Sequence, residues 1–450
     1  MAAIRSQRRR VVILGAAGRD FHDFNVVYRE DAGVEVIAFT TTQIPDTAGR
    51  RYPPELAGPH YPDGIPIVEA DGLAHLCAEA GVDEVVFAYS DASHATVMHQ
   101  ASIALAAGAD FVLLGPHRTM LAARRPVIAI SAVRTGCGKS QTARWLVRLL
   151  RAHGLAVAVL RHPMPYGDLA AQAVQRFATL DDVDAAACTV EEREEYEPHI
   201  AAGSVVYAGV DYAAILARAE AEADVIVWEG GNNDFPFLRP DLHLVLVDPL
   251  RAGDETTHHP GEAVLRMADV VIIAKSDAAA AADVRRVRES VAAVNPRAPQ
   301  VLARSPVTLD DPAAVDGRRV LVVEDGPTLT HGGMAYGAGL VAAAPAAEIV
   351  DPRDSATPAI AAVYAANPHI GKVLPALGYS PAQLAAIAAT INASSAEVVV
   401  SGTPCDLARL VTLDKPLVRA RYEFAEVLPG ALAAIVESFL EARGVRSTSG

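Results

Sequence analysis

Cysteine, aromatic residues and basic charge are all scarce in this sequence of 450 residues. Its 4 cysteines are widely spaced and form no Cys-x-x-Cys pair, so the sequence indicates neither a zinc site nor a disulfide framework. Aromatic residues make up 5% of the chain, and 39 Lys and Arg residues face 54 Asp and Glu residues, a net charge of −15. Because affinity for nucleic acid comes largely from basic side chains against phosphate, we expect no nucleic-acid partner.

Long apolar runs are missing as well. The run Val11–Leu14 that follows the N-terminal arginines is too short for the core of a signal peptide or for a membrane span. We therefore expect a cytoplasmic protein with no membrane partner. The length indicates more than one domain, and we expect a homodimer because two-fold oligomers are common.

Short apolar, β-branched runs alternate with helical patterns along most of the chain, which is typical of an α/β fold with parallel sheets. We predict a Rossmann-like N-terminal domain at 1–125, bounded by the segment Arg124-Arg125-Pro126. A larger P-loop NTPase α/β domain is predicted at 126–443, with a helical, Ala- and Pro-rich C-terminal elaboration at about 345–395. Residues 444–450 are expected to form a frayed tail.

The strongest motif is a predicted strand, Val127–Val133, that runs into RTGCGKSQT and then an amphipathic helix. Glycines in such a turn aim backbone N–H groups at phosphate oxygens, and the start of the helix adds a positive dipole end. Lys139 is expected to reach the β and γ phosphates, and the Ser140 hydroxyl to ligate Mg²⁺. The match to the usual P-loop pattern is incomplete, because Val133 stands where a glycine is expected.

Two further strands end in polar residues that suit a nucleotide site. Glu229 follows a buried strand and precedes Gly230 and Gly231, which favours a second Mg²⁺ ligand. Lys275 and Asp277 follow the next such strand and resemble a guanine-reading motif, but Ala274 replaces its asparagine. This leaves the choice between ATP and GTP open. The predicted nucleotide-binding residues are Arg134, Thr135, Gly136, Cys137, Gly138, Lys139, Ser140, Gln141, Lys275 and Asp277.

Cationic side chains follow several other predicted strands, where the carboxyl edge of one sheet would bring them together. Each contact of such a cation with a phosphate would contribute roughly 1.5–3 kcal/mol. We therefore expect a small anionic phosphorylated substrate beside the nucleotide. The predicted catalytic residues are Lys139, Glu229, Arg161, His162 and Arg251.

Several motifs together resemble the cyclic 2,3-diphosphoglycerate synthetases. They are GAAGRDFHDFN (15–25), AVRTGCGKSQTAR (132–144), LRHPMPYGDL (160–169), WEGGNNDFPF (228–237), VDPLRAGDETTHHPGE (247–262) and VEDGPTLTHGGMAYGAG (323–339). The resemblance covers most of the chain. It implies ATP-dependent closure of a phosphoanhydride within 2,3-diphosphoglycerate, with release of ADP and phosphate, by a P-loop domain like those of dethiobiotin synthetase and nickel-insertion GTPases.

Two other functions remain open from the sequence. A P-loop GTPase with a regulatory or metal-insertion role would use Lys275 and Asp277 to prefer GTP and would act on a protein partner. A nucleotide-sensing module would bind without catalysis, although Glu229 beside two glycines favours hydrolysis.

Overall fold

The computed structural model describes residues 8–41, 49–161, 167–330, 332–377 and 380–445. These residues form an α/β structure with three main sheets in which most neighbouring strands are parallel. The sequence-based prediction of the fold class is therefore confirmed. No helix in the described ranges has the length and apolar character needed to cross a membrane.

The first sheet lies within the N-terminal segment and has the strand order β3-β4-β2-β1-β5-β7. Its core strand β1 is buried from Val11 onward, as expected for a parallel strand covered on both faces. The strands of this segment are β1 (Arg9–Leu14), β2 (Val34–Thr41), β3 (Arg51–Tyr52), β4 (Ile65–Glu69), β5 (Glu84–Phe87), β6 (Ala92–Ser93) and β7 (Asp110–Val112). The α-helices are α1 (Arg19–Asp23), α2 (Pro54–Ala57), α3 (Leu73–Ala80), α4 (His94–Ala106) and α5 (Pro116–Thr119), and a π-helical turn spans Phe24–Tyr28.

The second sheet carries the P-loop and has the order β10-β11-β9-β12-β8-β13-β15-β16-β23. Its central strand β8 is buried along its whole length, and helix α6 packs on the sheet through residues spaced three and four apart. The strands are β8 (Val127–Ala132), β9 (Val157–Arg161), β10 (Gln175–Phe177), β11 (Val205–Ala208), β12 (Val225–Glu229), β13 (Leu242–Val247), β14 (His258–His259), β15 (Val270–Ile273) and β16 (Gln300–Arg304). The helices are α6 (Lys139–Ala152), α7 (Leu180–Ala185), α8 (Val190–Ala201), α9 (Tyr212–Glu222), α10 (Gly261–Arg266) and α11 (Ala281–Val294).

The C-terminal segment forms a third sheet around β18, which pairs with β19, β20 and β21. Residues 345–395 were expected to form a helical elaboration of the P-loop domain. They contain α14 and α15, which pack on this separate sheet, and they also contain its strands β19 and β20. The strands are β17 (Val307–Leu309), β18 (Arg319–Asp325), β19 (Glu348–Ile349), β20 (Leu374–Ala376), β21 (Val398–Ser401), β22 (Leu417–Tyr422) and β23 (Ala425–Glu426). The helices are α12 (Gly326–Thr330), α13 (Ala338–Ala342), α14 (Pro358–Ala366), α15 (Pro381–Ala393), α16 (Leu407–Leu410) and α17 (Ala431–Ala442).

Short backbone pairings join the three parts. Strands β6 and β14 form an antiparallel ribbon between the first and second parts. Strand β23 returns from the third sheet to the edge of the second, where it pairs with β16. These pairings bring the carboxyl edges of strands from all three sheets to one place.

Candidate active site

A cavity of about 550 Å³ lies where the three parts meet. One wall is the turn between β8 and α6, which includes Gly136, Lys139 and Ser140. Carboxylates of α8 and of the end of β18 form another part of the lining. Because the cavity opens at strand carboxyl ends, it lies where α/β folds bind their ligands.

The turn has the backbone geometry of a phosphate-binding nest. Gly136 and Gly138 have φ angles of +81° and +104°, a region that glycine adopts without a steric penalty. Gly138 immediately precedes α6, a helix of 14 residues, so the N–H groups of the first turn point toward the cavity side of the loop. The local geometry therefore fits a phosphate group.

Lys139 lies in this nest and donates a hydrogen bond from Nζ to the backbone oxygen of Asn232. Burial lowers the pKa of Lys139. Asn232 also accepts a hydrogen bond at Oδ1 from the Thr135 hydroxyl at 3.1 Å, so the loop after β12 holds the P-loop from the side. Lys139 is thereby placed beside the nest before any ligand binds.

Glu229 lies at the end of β12 and is fully buried. It pairs in register with Arg161 on β9, so both side chains point to the same face of the sheet. Arg161 Nη1 lies 2.5 Å from one carboxylate oxygen, and His199 Nε2 lies 2.7 Å from the other. Burial by itself would raise the pKa of Glu229, but Arg161 and the hydrogen bonds from His199 and Ser140 hold it below its ordinary value.

Arg161 was predicted to contact substrate phosphate. It lines the cavity, but its guanidinium contacts the carboxylates of Glu229 and Glu195. Its positive charge is therefore balanced within the protein. His162, the next predicted catalytic residue, lies outside the described residues.

Arg251 and Lys275 both contact the P-loop backbone. Arg251 donates to the backbone oxygens of Thr135 and Gly332 at 2.7 and 2.9 Å, and Lys275 donates to that of Gly136 at 2.7 Å. Lys275 also contacts Asp248 at 2.8 Å. Both side chains thus brace the nest from outside, next to the position where phosphate would bind.

The remaining predicted nucleotide-binding residues surround the same turn. Asp277 accepts a hydrogen bond from the backbone N–H of Ser305 at 3.2 Å, and Gln141 accepts one from the hydroxyl of Ser305 at 3.0 Å. Arg134 contacts Asp91 at 2.6 Å. Cys137 is fully buried, and burial raises the pKa of its thiol, so the residue contributes through its backbone rather than as a thiolate.

The sequence analysis missed the carboxylates that face the P-loop. Glu191 and Glu195 on α8 and Asp325 at the end of β18 line the cavity. Glu194, also on α8, hydrogen-bonds Asp325 and the hydroxyl of Thr403. Burial, reinforced by Asp325, raises the pKa of Glu194 well above its ordinary value. The signal in the sequence was the acidic run EEREEYE, which resembles a solvated helix.

A metal ion at this site would need oxygen ligands from the nucleotide as well as from the protein. In the described part of the chain, no three His, Cys, Asp or Glu side chains are arranged to hold a metal ion by themselves. The Ser140 hydroxyl bonds Glu229, and the oxygens of Glu229 face Arg161 and His199. This arrangement suits a Mg²⁺ ion held by Ser140 and phosphate oxygens, with Glu229 behind Ser140.

Comparison with known proteins gives a relative over nearly the whole chain. No family model matches the sequence. The protein named arginine synthetase ArcE from Thermococcus kodakarensis is 56% identical over 435 residues, which cover 96% of this chain and 97% of that protein.

Solved structures give weaker similarities. ATP-bound LpxK from Aquifex aeolicus has a TM-score of 0.41 at 13% identity, covering 71% of this chain and 90% of that one. The hydrogenase maturation factor HypB from Archaeoglobus fulgidus has a TM-score of 0.23 at 15% identity, covering 40% and 79% of the two chains. These scores are too low to carry an argument.

The relative corrects the function predicted from the sequence. It is named an arginine synthetase, so the prediction of cyclic 2,3-diphosphoglycerate synthesis is wrong. The alternative of a regulatory or metal-insertion GTPase does not agree with a synthetase either. On 56% identity over 96% of its length, the chain belongs to the arginine synthetase ArcE family.

Proposed function

We propose that this protein is an ATP-dependent arginine synthetase, which forms arginine with release of ADP and phosphate. The whole-length identity of 56% to a protein named arginine synthetase carries this proposal. The similarity covers 96% of the chain and is therefore not confined to the P-loop, which many unrelated NTPases share.

The two sides of the cavity support a nucleotide and a cationic partner. The nest at Gly136 and Gly138 with Lys139 suits a triphosphate. Because Glu195 is already paired with Arg161, the carboxylates of Glu191 and Asp325 are the ones that suit a cation such as ammonium or a guanidinium group. A phosphorylated second substrate would face these carboxylates at a cost in repulsion. The ammonium substrate and the guanidinium group of the arginine product carry the complementary charge.

The chemistry of the guanidino group explains why a nucleotide is needed. In our proposal, the ureido oxygen of citrulline takes the γ-phosphoryl group of ATP. Ammonia then adds to the ureido carbon, and the C–O bond breaks as phosphate leaves with the oxygen. Ammonium loses one proton to give the ammonia that attacks, and the added nitrogen loses a second proton as the guanidinium group forms; both protons pass to solvent or to a nearby carboxylate. Catalysis of this kind depends mostly on positioning and on charge stabilisation.

The residues that would hold the nucleotide follow from the cavity. ATP is proposed rather than GTP because Ala274 replaces the asparagine of the guanine-reading motif, and because Lys275 is engaged with Gly136 and Asp248. Ser140 would hold Mg²⁺, which, when bound, would neutralise charge on the phosphates. Lys139 would stabilise the negative charge of the transferring phosphoryl group.

Product analysis tests the proposal. The purified protein is incubated with ATP, Mg²⁺, citrulline and ammonium chloride, and arginine and ADP are quantified by chromatography. We expect equimolar arginine and ADP that depend on all the added substrates. Lys139→Ala should lower the rate by roughly 100-fold or more. The matched control Lys372→Ala, at an exposed position outside the cavity, should retain the wild-type rate.

Two results would contradict the proposal. One is ADP formation with no arginine under any combination of substrates. The other is arginine formation that Lys139→Ala leaves unchanged, because the P-loop would then have no part in the reaction.

A further inference from the structure

A segment of the N-terminal domain contacts the P-loop directly. Ser90 and Asp91 follow β5 at the carboxyl edge of the first sheet. The backbone N–H of Asp91 donates to Asn233 Oδ1 at 2.7 Å, and the Ser90 hydroxyl accepts from Asn232 at 3.1 Å. The next residues form the ribbon with His258–His259. One short segment thus touches two separate loops of the second sheet.

The carboxylate of Asp91 makes the closest contacts with the P-loop. Its Oδ1 accepts from Arg134 Nε at 2.6 Å, and its Oδ2 accepts from the backbone N–H of Thr135 at 3.1 Å. The side chain is 7% exposed. Asp91 also has a φ angle of +55°, an uncommon conformation for a residue other than glycine. Such outliers persist where surrounding contacts fix them, and they cluster at functional sites.

The contacts continue from Asp91 to the lysine of the nest. Thr135 donates its backbone N–H to Asp91 and its hydroxyl to Asn232, each at 3.1 Å. The backbone oxygen of Asn232 then accepts from Lys139. Asp91 is therefore linked through two residues to the side chain that would meet the phosphates.

We infer that Asp91 is a positioning residue for the nucleoside triphosphate, supplied to the P-loop by the N-terminal domain. This inference rests on the proposed function in that ATP is taken as the ligand of the nest. Asp91 does not touch the phosphates itself. It fixes Arg134 and Thr135 at the start of the turn, so that the N–H groups after Gly136 are already oriented when the nucleotide binds.

Variants of Asp91 test the inference. Binding of a non-hydrolysable ATP analogue with Mg²⁺ is measured by calorimetry, and the KM for ATP and the kcat are measured through ADP formation. Asp91→Ala should weaken analogue binding about 10-fold or more, since it removes hydrogen bonds to a charged acceptor. Asp91→Asn keeps an oxygen that can accept from Thr135, so it should raise the KM for ATP by less, with kcat close to wild type.

Two further variants separate positioning from general damage. Asp254 also pairs with Arg134 but does not contact Thr135, so Asp254→Asn should affect binding less than Asp91→Ala. Asp110→Ala, at an exposed position on β7 of the same domain, should leave binding and melting temperature unchanged. A change in the KM for ATP at an unchanged melting temperature is the signature expected of a positioning role.

The outcomes also separate this inference from the proposed function. If the wild type makes no arginine but Asp91→Ala still weakens analogue binding, the proposed function fails and the inference stands. If the wild type makes arginine and neither Asp91 variant changes the analogue Kd, the inference is overturned. If Asp91→Ala does not fold, the test rests on Asp91→Asn. An unchanged Kd for the analogue and an unchanged KM for ATP in that variant then overturn the inference. A wild type that does not bind the analogue overturns it as well.

Discussion

The buried ion pair beside the P-loop makes a strong stability prediction. Replacing Arg161 by methionine leaves Glu229 without its cation at a position where it has no exposed surface. His199 cannot replace that charge at neutral pH, because burial lowers its pKa and keeps its ring neutral. Removal of one partner from a buried pair typically costs about 3–5 kcal/mol, so we expect Arg161→Met to lower the free energy of unfolding by that amount.

A surface pair provides the matched control. Arg148 pairs with Glu423 at 2.7 Å, and the two side chains are 47% and 48% exposed, against 2% for Arg161. Exposed ion pairs contribute at most about 1 kcal/mol, so Arg148→Met should have a small effect. The double variant Arg161→Met with Glu229→Gln should recover much of the lost stability, because no unpaired buried charge remains while the hydrogen-bond acceptor for His199 is retained.

Urea unfolding followed by tryptophan fluorescence measures these differences. The 2 tryptophans, Trp145 and Trp228, both lie in the second part of the chain, and Trp228 is adjacent to Glu229. The folded-state pKa of Glu229 lies below its ordinary value of 4.5, so the pair stabilises the fold above that pH and the contribution is lost as the pH falls. The gap between wild type and Arg161→Met should therefore narrow toward low pH. An Arg161→Met variant within 1 kcal/mol of wild type at pH 7, or a double variant less stable than the single one, would refute the reasoning.

Two other variants give distinct signatures. An alanine at position 138 would have to adopt a φ of +104°, and its Cβ would lie 2.5 Å from the movable end of the Gln141 side chain. Gly138→Ala should therefore weaken binding of the ATP analogue roughly 10-fold, as measured by calorimetry. Gly81→Ala carries a similar backbone penalty, but its Cβ would have no atom within 4 Å. This variant should lose stability without losing affinity for the ATP analogue. Equal losses of affinity in the two variants would contradict the argument. Burial raises the pKa of Asp23 from 3.8 to about 7, so the wild type loses stability as the pH rises through that window. Between pH 5 and pH 8, the stability of Asp23→Asn should rise relative to the wild type by about 3 kcal/mol, because roughly two pH units of the pKa shift fall in this range at about 1.4 kcal/mol each. Urea unfolding followed by circular dichroism measures the difference, and a difference independent of pH would refute the argument.

The secondary structure around the P-loop could be predicted because it depends on local pattern. The apolar run at 127–133 predicts a buried strand, and the structure has β8 at Val127–Ala132. Ala143, Leu146, Val147 and Leu150 recur at helical spacing, and all four are buried on α6. Such short-range signals are strong when a strand is covered on both faces and a helix on one.

Sheet membership could not be predicted in the same way. The apolar runs at 319–323 and 397–400 each predict a strand. Nothing local in the sequence shows that β18 pairs with β21 rather than with the P-loop sheet. Residues that pair between these two strands lie more than 70 positions apart in the chain; Val320, for example, pairs with Val398. Pairing at that distance depends on which helices cover each sheet, and this follows from the whole fold rather than from a window of residues.

The P-loop could be recognised from the sequence and the carboxylates of the cavity could not, because the two parts of the lining depend on different kinds of contact. Phosphate binding relies on backbone N–H groups, so a glycine pattern with Lys139 and Ser140 is enough to identify it. The acidic part of the lining consists of side chains of α8. Glu194 on that helix hydrogen-bonds Asp325, at the end of β18, and Thr403, which follows β21. An acidic helix is normally solvated, so its composition alone points away from a site. Only the packing of the C-terminal segment against that helix brings the acidic run into the lining of the cavity.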